Sequence, residues 1–154
     1  MDINKFIFTR TAPAKKIEAI EGLSQTELLS ITPTTIAKMV KEAGTRLYKS
    51  RDKEMRISST RRTGNDWNSE VEGVRNYKGN PMLDLYIQYD NTDTVTSVSL
   101  DDFLKYGDYK GSIQRNDRNG NPRSYYFTYT SADKARFVKS LLLEYINCKY
   151  KDKL

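Results

Sequence analysis

The spacing of apolar residues changes twice along the chain, from a helical repeat to strand-like alternation and back. A first helical stripe comprises Ile36, Met39, Val40 and Ala43, and a second one comprises Val138, Leu141, Leu142, Tyr145 and Ile146. Between the two stripes, apolar residues alternate with polar ones at Leu83, Leu85, Ile87 and Tyr89. A period of 3.6 residues indicates a helix with one buried face, and a period of two indicates a strand. The chain is therefore predicted to have an α+β fold.

These changes of period divide one predicted domain of 154 residues into three parts. We expect N-terminal helices over about 14–50, and a mostly antiparallel sheet of five to six strands over about 53–130. A C-terminal amphipathic helix over about 131–150 is expected to pack on the sheet. A chain of this length can bury a core without disulfides or metal ions.

Short local signals refine this outline. Residues 1–9 alternate in part and predict an opening strand, and residues 14–20 predict a short helix after Pro13. Ser24 and Glu27 have the spacing of a capping box, and Thr32 followed by Pro33 is typical of a helix start. Further along, Asp101 is predicted to cap a short helix, and Asn119 with Gly120 predicts the turn of a hairpin whose strands flank residues 117–121.

No long apolar run is present, since the longest contain only three residues, as at Leu141–Leu143. No transmembrane segment is therefore predicted, and residues 1–10 lack the features of a signal peptide. The single cysteine, Cys148, excludes an intrachain disulfide. The expected location is the cytoplasm, with no membrane partner.

The net charge of +6 is distributed unevenly. Nine basic residues stand against three acidic ones between 38 and 62, whereas six aspartates face one lysine between 83 and 108. From residue 109 to the end the balance is basic again, with ten lysines and arginines against four acids. Such segregation indicates one basic and one acidic face, and a basic face attracts phosphate groups.

The residue inventory argues against most enzyme chemistry. Without any histidine, the chain lacks the usual general base of serine and cysteine triads and the usual ligand of zinc. No glycine-rich phosphate loop occurs, and no cofactor or metal is predicted. Asp108-Tyr-Lys110, with Asp84 or Asp90 upstream, matches the short acid-x-lysine pattern of metal-dependent nucleases. Because Gly107 and Gly111 flank this match, it is expected to lie in a turn, and the nuclease is kept as a third alternative.

The stretch from Leu28 to Val40 resembles the turn and recognition helix of a helix-turn-helix motif. Ile31 would anchor the turn, and the side chains expected to face nucleic acid are Thr34, Thr35, Lys38 and Lys41. Ser30 stands where the motif usually has glycine, and Thr26 where it usually has alanine. The alternative is a capped amphipathic helix whose apolar stripe simply packs in the core.

A second nucleic-acid signal is the aromatic strand SYYFTYT at 124–130. Rings on a strand beside arginines are typical of single-strand binders. Phe127 and Tyr129 are expected to pack beneath the C-terminal helix, which leaves Tyr126 as the candidate for base stacking.

The leading hypothesis is a non-enzymatic, basic, nucleic-acid-binding accessory protein, and its composition suits a bacterial, phage or mobile-element origin. The candidate phosphate contacts in the basic segment, residues 46–62, are Arg46, Lys49, Arg51, Arg56, Arg61 and Arg62. The alternative is a protein–protein interaction module, such as a virion component or an inhibitor of a host system, whose acidic and basic stretches meet a complementary partner.

Overall fold

The computed structural model describes residues 1–44, 47, 59–60, 67–89, 92–105, 107–116 and 119–153. Its helices are α1 (Ile3–Phe6), α2 (Pro13–Glu21), α3 (Gln25–Leu28), α4 (Pro33–Ala43), α5 (Leu100–Lys105) and α6 (Ser131–Tyr150), followed by a 3₁₀ turn at Lys151–Lys153. Its strands are β1 (Ser59–Thr60), β2 (Trp67–Tyr77), β3 (Asn80–Tyr89), β4 (Thr92–Ser99), β5 (Tyr109–Asn116) and β6 (Pro122–Tyr129). The mixed α and β composition predicted from the sequence is confirmed.

The N-terminal region differs from the sequence prediction. Residues 1–9 contain the helix α1 instead of an opening strand, so that prediction is wrong. The side chain of Asp2 accepts a hydrogen bond from the backbone N–H of Asn4 and thereby caps the helix. Ile3 and Ile7, four residues apart, are both completely buried, and this spacing fits a helix and its C-cap better than a strand.

The predicted helix starts that follow are confirmed. Pro13 occupies the first turn of α2, and Ser24 and Glu27 form both hydrogen bonds of a capping box at α3. At α4 the hydroxyl of Thr32 accepts from the backbone N–H of Thr35. The apolar stripe of α4 faces inward, because Ile36, Met39 and Val40 are buried.

The strands form two antiparallel sheets, not the single sheet of five to six strands that the sequence predicted. The meander sheet contains β2, β3 and β4 in sequence order, and the hairpin sheet has the order β1-β6-β5. Between β4 and β5 the chain leaves the meander sheet as the helix α5. The hydroxyl of Ser99 accepts from the backbone N–H of Asp102 at the start of α5, and so takes the place predicted for the Asp101 cap. Because α5 separates β4 from β5 in the chain, β5 does not pair with β4 and belongs to the other sheet.

Several strand boundaries also differ from prediction. β2 begins at Trp67 and is 11 residues long. Lys110 lies on β5 and pairs with Thr128, so the expectation of a turn there is wrong. The predicted hairpin itself is confirmed, with β5 and β6 on either side of it and Gly120 at a φ of 79°.

The C-terminal helix α6 packs against α2, α3, α4 and β6. Its buried residues are Lys134, Ala135, Phe137, Val138, Leu141, Leu142, Tyr145 and Ile146, which include the whole predicted stripe. All of them except Lys134 join residues of both sheets and of α1–α4 in one apolar core. The prediction of a C-terminal amphipathic helix packed on the sheet is therefore confirmed. Among the described residues, no helix has both the length and the apolar character that crossing a bilayer would require.

Candidate nucleic-acid interface

The face of α4 that points away from the core carries three of the predicted contact residues. Thr34, Lys38 and Lys41 are exposed, and their spacing of four and then three residues places them on one side of the helix. With a rise of about 1.5 Å per residue, the stripe is about 10 Å long. The core stripe of α4 lies on the opposite side, so these polar side chains are free of any packing role in the apolar core.

Thr35 does not belong to this exposed stripe. Its side chain is buried, and its hydroxyl donates to the Oδ1 atom of Asn4 at 2.8 Å. The same Oδ1 atom accepts from the backbone N–H of Thr32, and the Asn4 amide donates to the carbonyl of Ser30. Asn4 thus ties α1 to the turn before α4. Thr35 has a structural role there, and the expectation that it faces nucleic acid does not hold.

The resemblance to a helix-turn-helix is limited to the turn and the second helix. Ile31 is buried, as an anchor of the turn should be. The preceding helix α3 has only four residues, which is about 6 Å. The first helix of the motif crosses the DNA backbone, and one helical turn is too short for that contact.

Lys38 is held against an aromatic ring instead of extending freely into solvent. Its Nζ atom lies 4.1 Å from the ring centroid of Phe8, within the range of a cation–π interaction. The Phe8 ring in turn makes an edge-on contact with Tyr145 of α6, with 6.1 Å between centroids. The ammonium group is therefore positioned at the surface by the Phe8 ring, which itself packs against α6.

At its C-terminal end α4 meets a second cation, Lys149 of α6. The Lys149 Nζ atom donates to Oε2 of Glu42 at 2.6 Å and to the Tyr145 hydroxyl at 3.1 Å, and the Tyr145 hydroxyl donates to the same Glu42 oxygen. Burial by itself would raise the pKa of Glu42, but the hydrogen bonds from Lys149 and Tyr145 outweigh it and lower that pKa. The Glu42 hydrogen bond is also the main cause of the raised pKa of Lys149. Both groups are thereby kept charged.

A buried lysine lies beneath this junction. Lys16 of α2 is completely buried, and its Nζ atom donates to the carbonyls of Ile7 and Thr9. The ring of Tyr150 lies 5.5 Å from both the Lys16 and the Lys149 ammonium groups. We call Phe8, Lys16, Lys38, Glu42, Tyr145, Lys149 and Tyr150 the cationic junction. It contains three lysines and one carboxylate.

The sequence interpretation missed most of the cationic junction. Lys16 lies four residues before the buried Ile20, so its position on the inner face of α2 could have been read from the sequence. No comparable signal relates Glu42 to Lys149, because 107 positions separate them. Their pairing depends on how α4 packs on α6.

The remaining predicted residues have different outcomes. Tyr126 is 37% exposed on β6, whereas Phe127 and Tyr129 are buried, as expected. The phosphate contacts predicted in the basic segment lie outside the described residues. Asp90 also lies outside them.

The two nuclease carboxylates that are described both have structural partners. Asp84 accepts hydrogen bonds from Arg75 and Ser97 within the meander sheet. Asp108 accepts one from the backbone N–H of Ser131 at the start of α6.

No protein-family model, curated protein or solved structure matches this chain. The candidate interface therefore depends on the geometry of the chain itself.

Proposed function

We propose that this chain is a non-enzymatic nucleic-acid-binding protein and that the outer face of α4 is part of its contact surface. The supporting observation is the exposed stripe of Thr34, Lys38 and Lys41, which continues into the cationic junction. Lysines neutralise backbone phosphates and release condensed counterions, and this supplies most of the affinity of sequence-independent binding. A threonine hydroxyl can add a hydrogen bond to a phosphate or a base edge.

The position of α4 in the chain strengthens the proposal. Its C-terminal end carries Lys41, and the basic segment with its six candidate arginines and lysines follows in the sequence. Lys38 is restrained by the Phe8 ring, so less side-chain freedom is lost when it contacts a phosphate. The carboxylate of Glu42 is occupied by Lys149 and Tyr145, which reduces its repulsion of a polyanion.

The proposal is tested by measuring affinity for a short duplex and a short single strand at several salt concentrations. Six cations of the basic segment together predict a slope of about −5 in log affinity against log salt on duplex DNA. The double substitution Lys38→Ala with Lys41→Ala should weaken binding to all sequences alike and flatten that slope by about two, roughly one for each lost contact.

A matched control uses two exposed lysines elsewhere, Lys15 of α2 and Lys110 of β5. Lys15→Ala with Lys110→Ala lowers the net charge of +6 by the same amount as the test variant. If both double variants lose the same affinity, α4 has no special role and the proposal for this surface is wrong. If the unaltered protein is not retained on heparin or DNA at about 0.15 M salt, nucleic-acid binding itself is excluded.

The expected cytoplasmic location and a phage or mobile-element origin form part of the same proposal. The single cysteine supports the location, and the composition supports the origin. Failure of the heparin and DNA experiments would favour the alternative of a protein–protein interaction module. Its partner would then have to match the basic stretch of α4 with acidic groups.

A further inference from the structure

The turn between β2 and β3 has an unusual backbone. Tyr77 pairs with Asn80, and the two residues between them, Lys78 and Gly79, have φ angles of 51° and 85°. Two positive φ values are typical of the type I′ turn, which favours asparagine or aspartate followed by glycine. Lys78 is the only residue other than glycine with a positive φ in the described part of the chain. A lysine in this less favourable backbone conformation points to a functional role for its charge.

Tyr77 presents an aromatic ring beside this turn. It is 50% exposed, compared with 37% for Tyr126. The guanidinium carbon of Arg75 lies 5.6 Å from its ring centroid, and the Nζ atom of Lys78 lies 5.4 Å away. Arg75 is itself fixed by hydrogen bonds to Asp84 and Ser97. The ring is therefore accessible and lies next to two cations, one of them rigidly placed.

A cleft of about 550 Å³ lies beside the β2–β3 turn, where Gly79 and Asn80 line it. It lies between the start of α4, the β2–β3 turn and the start of α5, and it is lined by Pro33, Thr34, Ala37, Gly79, Asn80, Pro81, Met82, Ser99 and Asp101. Its volume lies within the range of about 300–1,000 Å³ typical of small-molecule sites. Asn80 connects the two features, since it lines the cleft and is the cross-strand partner of Tyr77.

We infer that the Tyr77 ring and this cleft bind an unpaired nucleobase of a single-stranded nucleic acid. The inference deepens the proposed function, on which it rests, because Thr34 belongs to both surfaces. The base would stack on Tyr77, and its edge would meet the polar groups of the cleft, Thr34, Asn80, Ser99 and Asp101. Lys78, at the rim, would contact the backbone phosphate.

The charge distribution favours a base over a phosphate inside the cleft. The carboxylate of Asp101 would repel a phosphate, whereas it can accept hydrogen bonds from the amino or imino groups of a base. The cations are outside, at Lys78 beside the turn and at Lys38 and Lys41 further along α4. A strand that follows α4 could thus place a base in the cleft and phosphates on the lysines. A duplex would not fit this arrangement, since its bases are already stacked on one another.

The test compares a thymidine oligonucleotide of about ten units with an abasic oligonucleotide of the same length and charge. The unaltered protein should bind the thymidine strand more tightly. Tyr77→Ala should weaken that binding about tenfold, without affecting the abasic strand or the salt dependence. Tyr77→Phe keeps the ring and should retain the affinity to within about twofold. Val95→Ala, which shortens an exposed apolar residue of β4, is the matched control and should change neither affinity.

Lys78 is tested separately by Lys78→Asn, because asparagine suits this position of the turn. The substitution should leave the melting temperature unchanged or raise it. It should also flatten the salt dependence of single-strand binding by about 0.7, as expected for the loss of one phosphate contact. An unchanged salt dependence with an intact fold would exclude Lys78 from the contact and contradict this part of the inference.

The outcomes separate this inference from the proposed function. Suppose that Lys38→Ala with Lys41→Ala weakens binding, but Tyr77→Ala has no effect and both strands bind equally. In that case the proposal of a base site is wrong, but the proposal that α4 contacts nucleic acid is unaffected. Loss of thymidine affinity in Tyr126→Ala instead of Tyr77→Ala would move the stacking site to β6 and overturn the inference. Absence of binding to either strand, with duplex binding retained, would overturn this inference alone, whereas absence of binding to the duplex as well would overturn both proposals.

Discussion

The meander sheet and the hairpin sheet each have three strands, but different contacts stabilise them. On the outer face of the meander sheet, Asp84 is almost completely buried and accepts hydrogen bonds from Nε of Arg75 at 3.2 Å and from the Ser97 hydroxyl at 2.7 Å. These three residues lie on β2, β3 and β4, so one carboxylate connects all three strands. The stabilising contacts here are directional and charged.

The hairpin sheet is stabilised by aromatic packing. Phe103 of α5 lies 5.2–5.6 Å, between centroids, from the rings of Tyr109, Tyr129 and Phe137. Beside them the ring of Phe127 packs directly over Gly111 of β5. Because α5 follows β4 without a break, Phe103 attaches the end of the meander sheet to the hairpin sheet and to α6.

Because their stabilising contacts differ, the two sheets should be sensitive to different kinds of substitution. Close-packed rings respond to changes of volume in either direction. A buried carboxylate responds to the loss of a partner, because the remaining charge is left without compensation. Substitutions that change only volume should therefore damage the hairpin sheet, and those that change only polarity should damage the meander sheet.

The largest effect is expected from Phe103→Ala. Removing a completely buried ring at the centre of the aromatic cluster should lower the free energy of unfolding by about 3–5 kcal/mol. Urea denaturation of the variant measures this change. Leu104→Ala, a neighbouring residue that is only partly buried, should cost distinctly less. A cost below about 1 kcal/mol for Phe103→Ala would mean that the cluster does not support the hairpin sheet.

Asp84→Ala should cost about 2 kcal/mol. The loss leaves the guanidinium of Arg75 without its carboxylate, but Arg75 is 37% exposed and can turn toward water. A double-mutant cycle with Arg75→Ala isolates the pair, and we expect a coupling energy of about 1 kcal/mol or more. Strictly additive losses would show that the charged network does not stabilise the meander sheet as a unit.

Gly111→Ala should cost about 1–2 kcal/mol, although it adds only one methyl group. A Cβ atom at this position would lie 2.6 Å from Cζ of Phe127, so the ring would have to move. Combining it with Phe127→Leu should recover part of the loss, because the smaller side chain leaves room for the methyl group. If Gly111→Ala is neutral by thermal unfolding, the ring is not closely packed on β5.

The smallest effect on stability is expected from substitution of Glu42. Like Asp84, Glu42 accepts hydrogen bonds from a cation and a hydroxyl, but it lies on the protein surface. Its side chain is 29% exposed, so Glu42→Gln should cost about 1 kcal/mol or less at neutral pH. The pKa of Glu42 is lowered in the folded state. Its contribution is therefore complete above the ordinary glutamate pKa of about 4.5 and is lost as the pH falls through the lower folded pKa.

The measurement is the free energy of unfolding of both proteins between neutral pH and about pH 3. The unaltered protein and Glu42→Gln should differ at neutral pH and converge in acid. A difference that stays constant across this range would mean that the Glu42 charge does not stabilise the cationic junction. Convergence of the two unfolding free energies would show that Glu42 stabilises the protein through its charge. Asp84 differs in this respect, because its removal also leaves a buried site unfilled.

Much of the fold could be predicted from the sequence because its signals are local. The capping box at Ser24, the Thr32-Pro33 start of α4 and the hairpin around Gly120 depend on residues within about four positions of one another. The inward stripes of α4 and α6 follow from periodicity alone. The candidates Thr34, Lys38 and Lys41 were predicted from the helix-turn-helix resemblance, and they are exposed on the side of α4 opposite its buried stripe.

The role of Thr35 could not be predicted from neighbouring residues in the sequence. Its hydroxyl serves Asn4, which is 31 positions away, and nothing near Thr35 in the sequence indicates that partner. The division into two sheets, the burial of Lys16 and the contact of Glu42 with Lys149 likewise depend on which faces of distant elements meet. So does the cleft between α4, α5 and the β2–β3 turn, which is lined by residues far apart in the sequence. Periodicity and capping determine which face of an element is apolar, whereas the choice of packing partner is made by the whole chain when it buries those faces together.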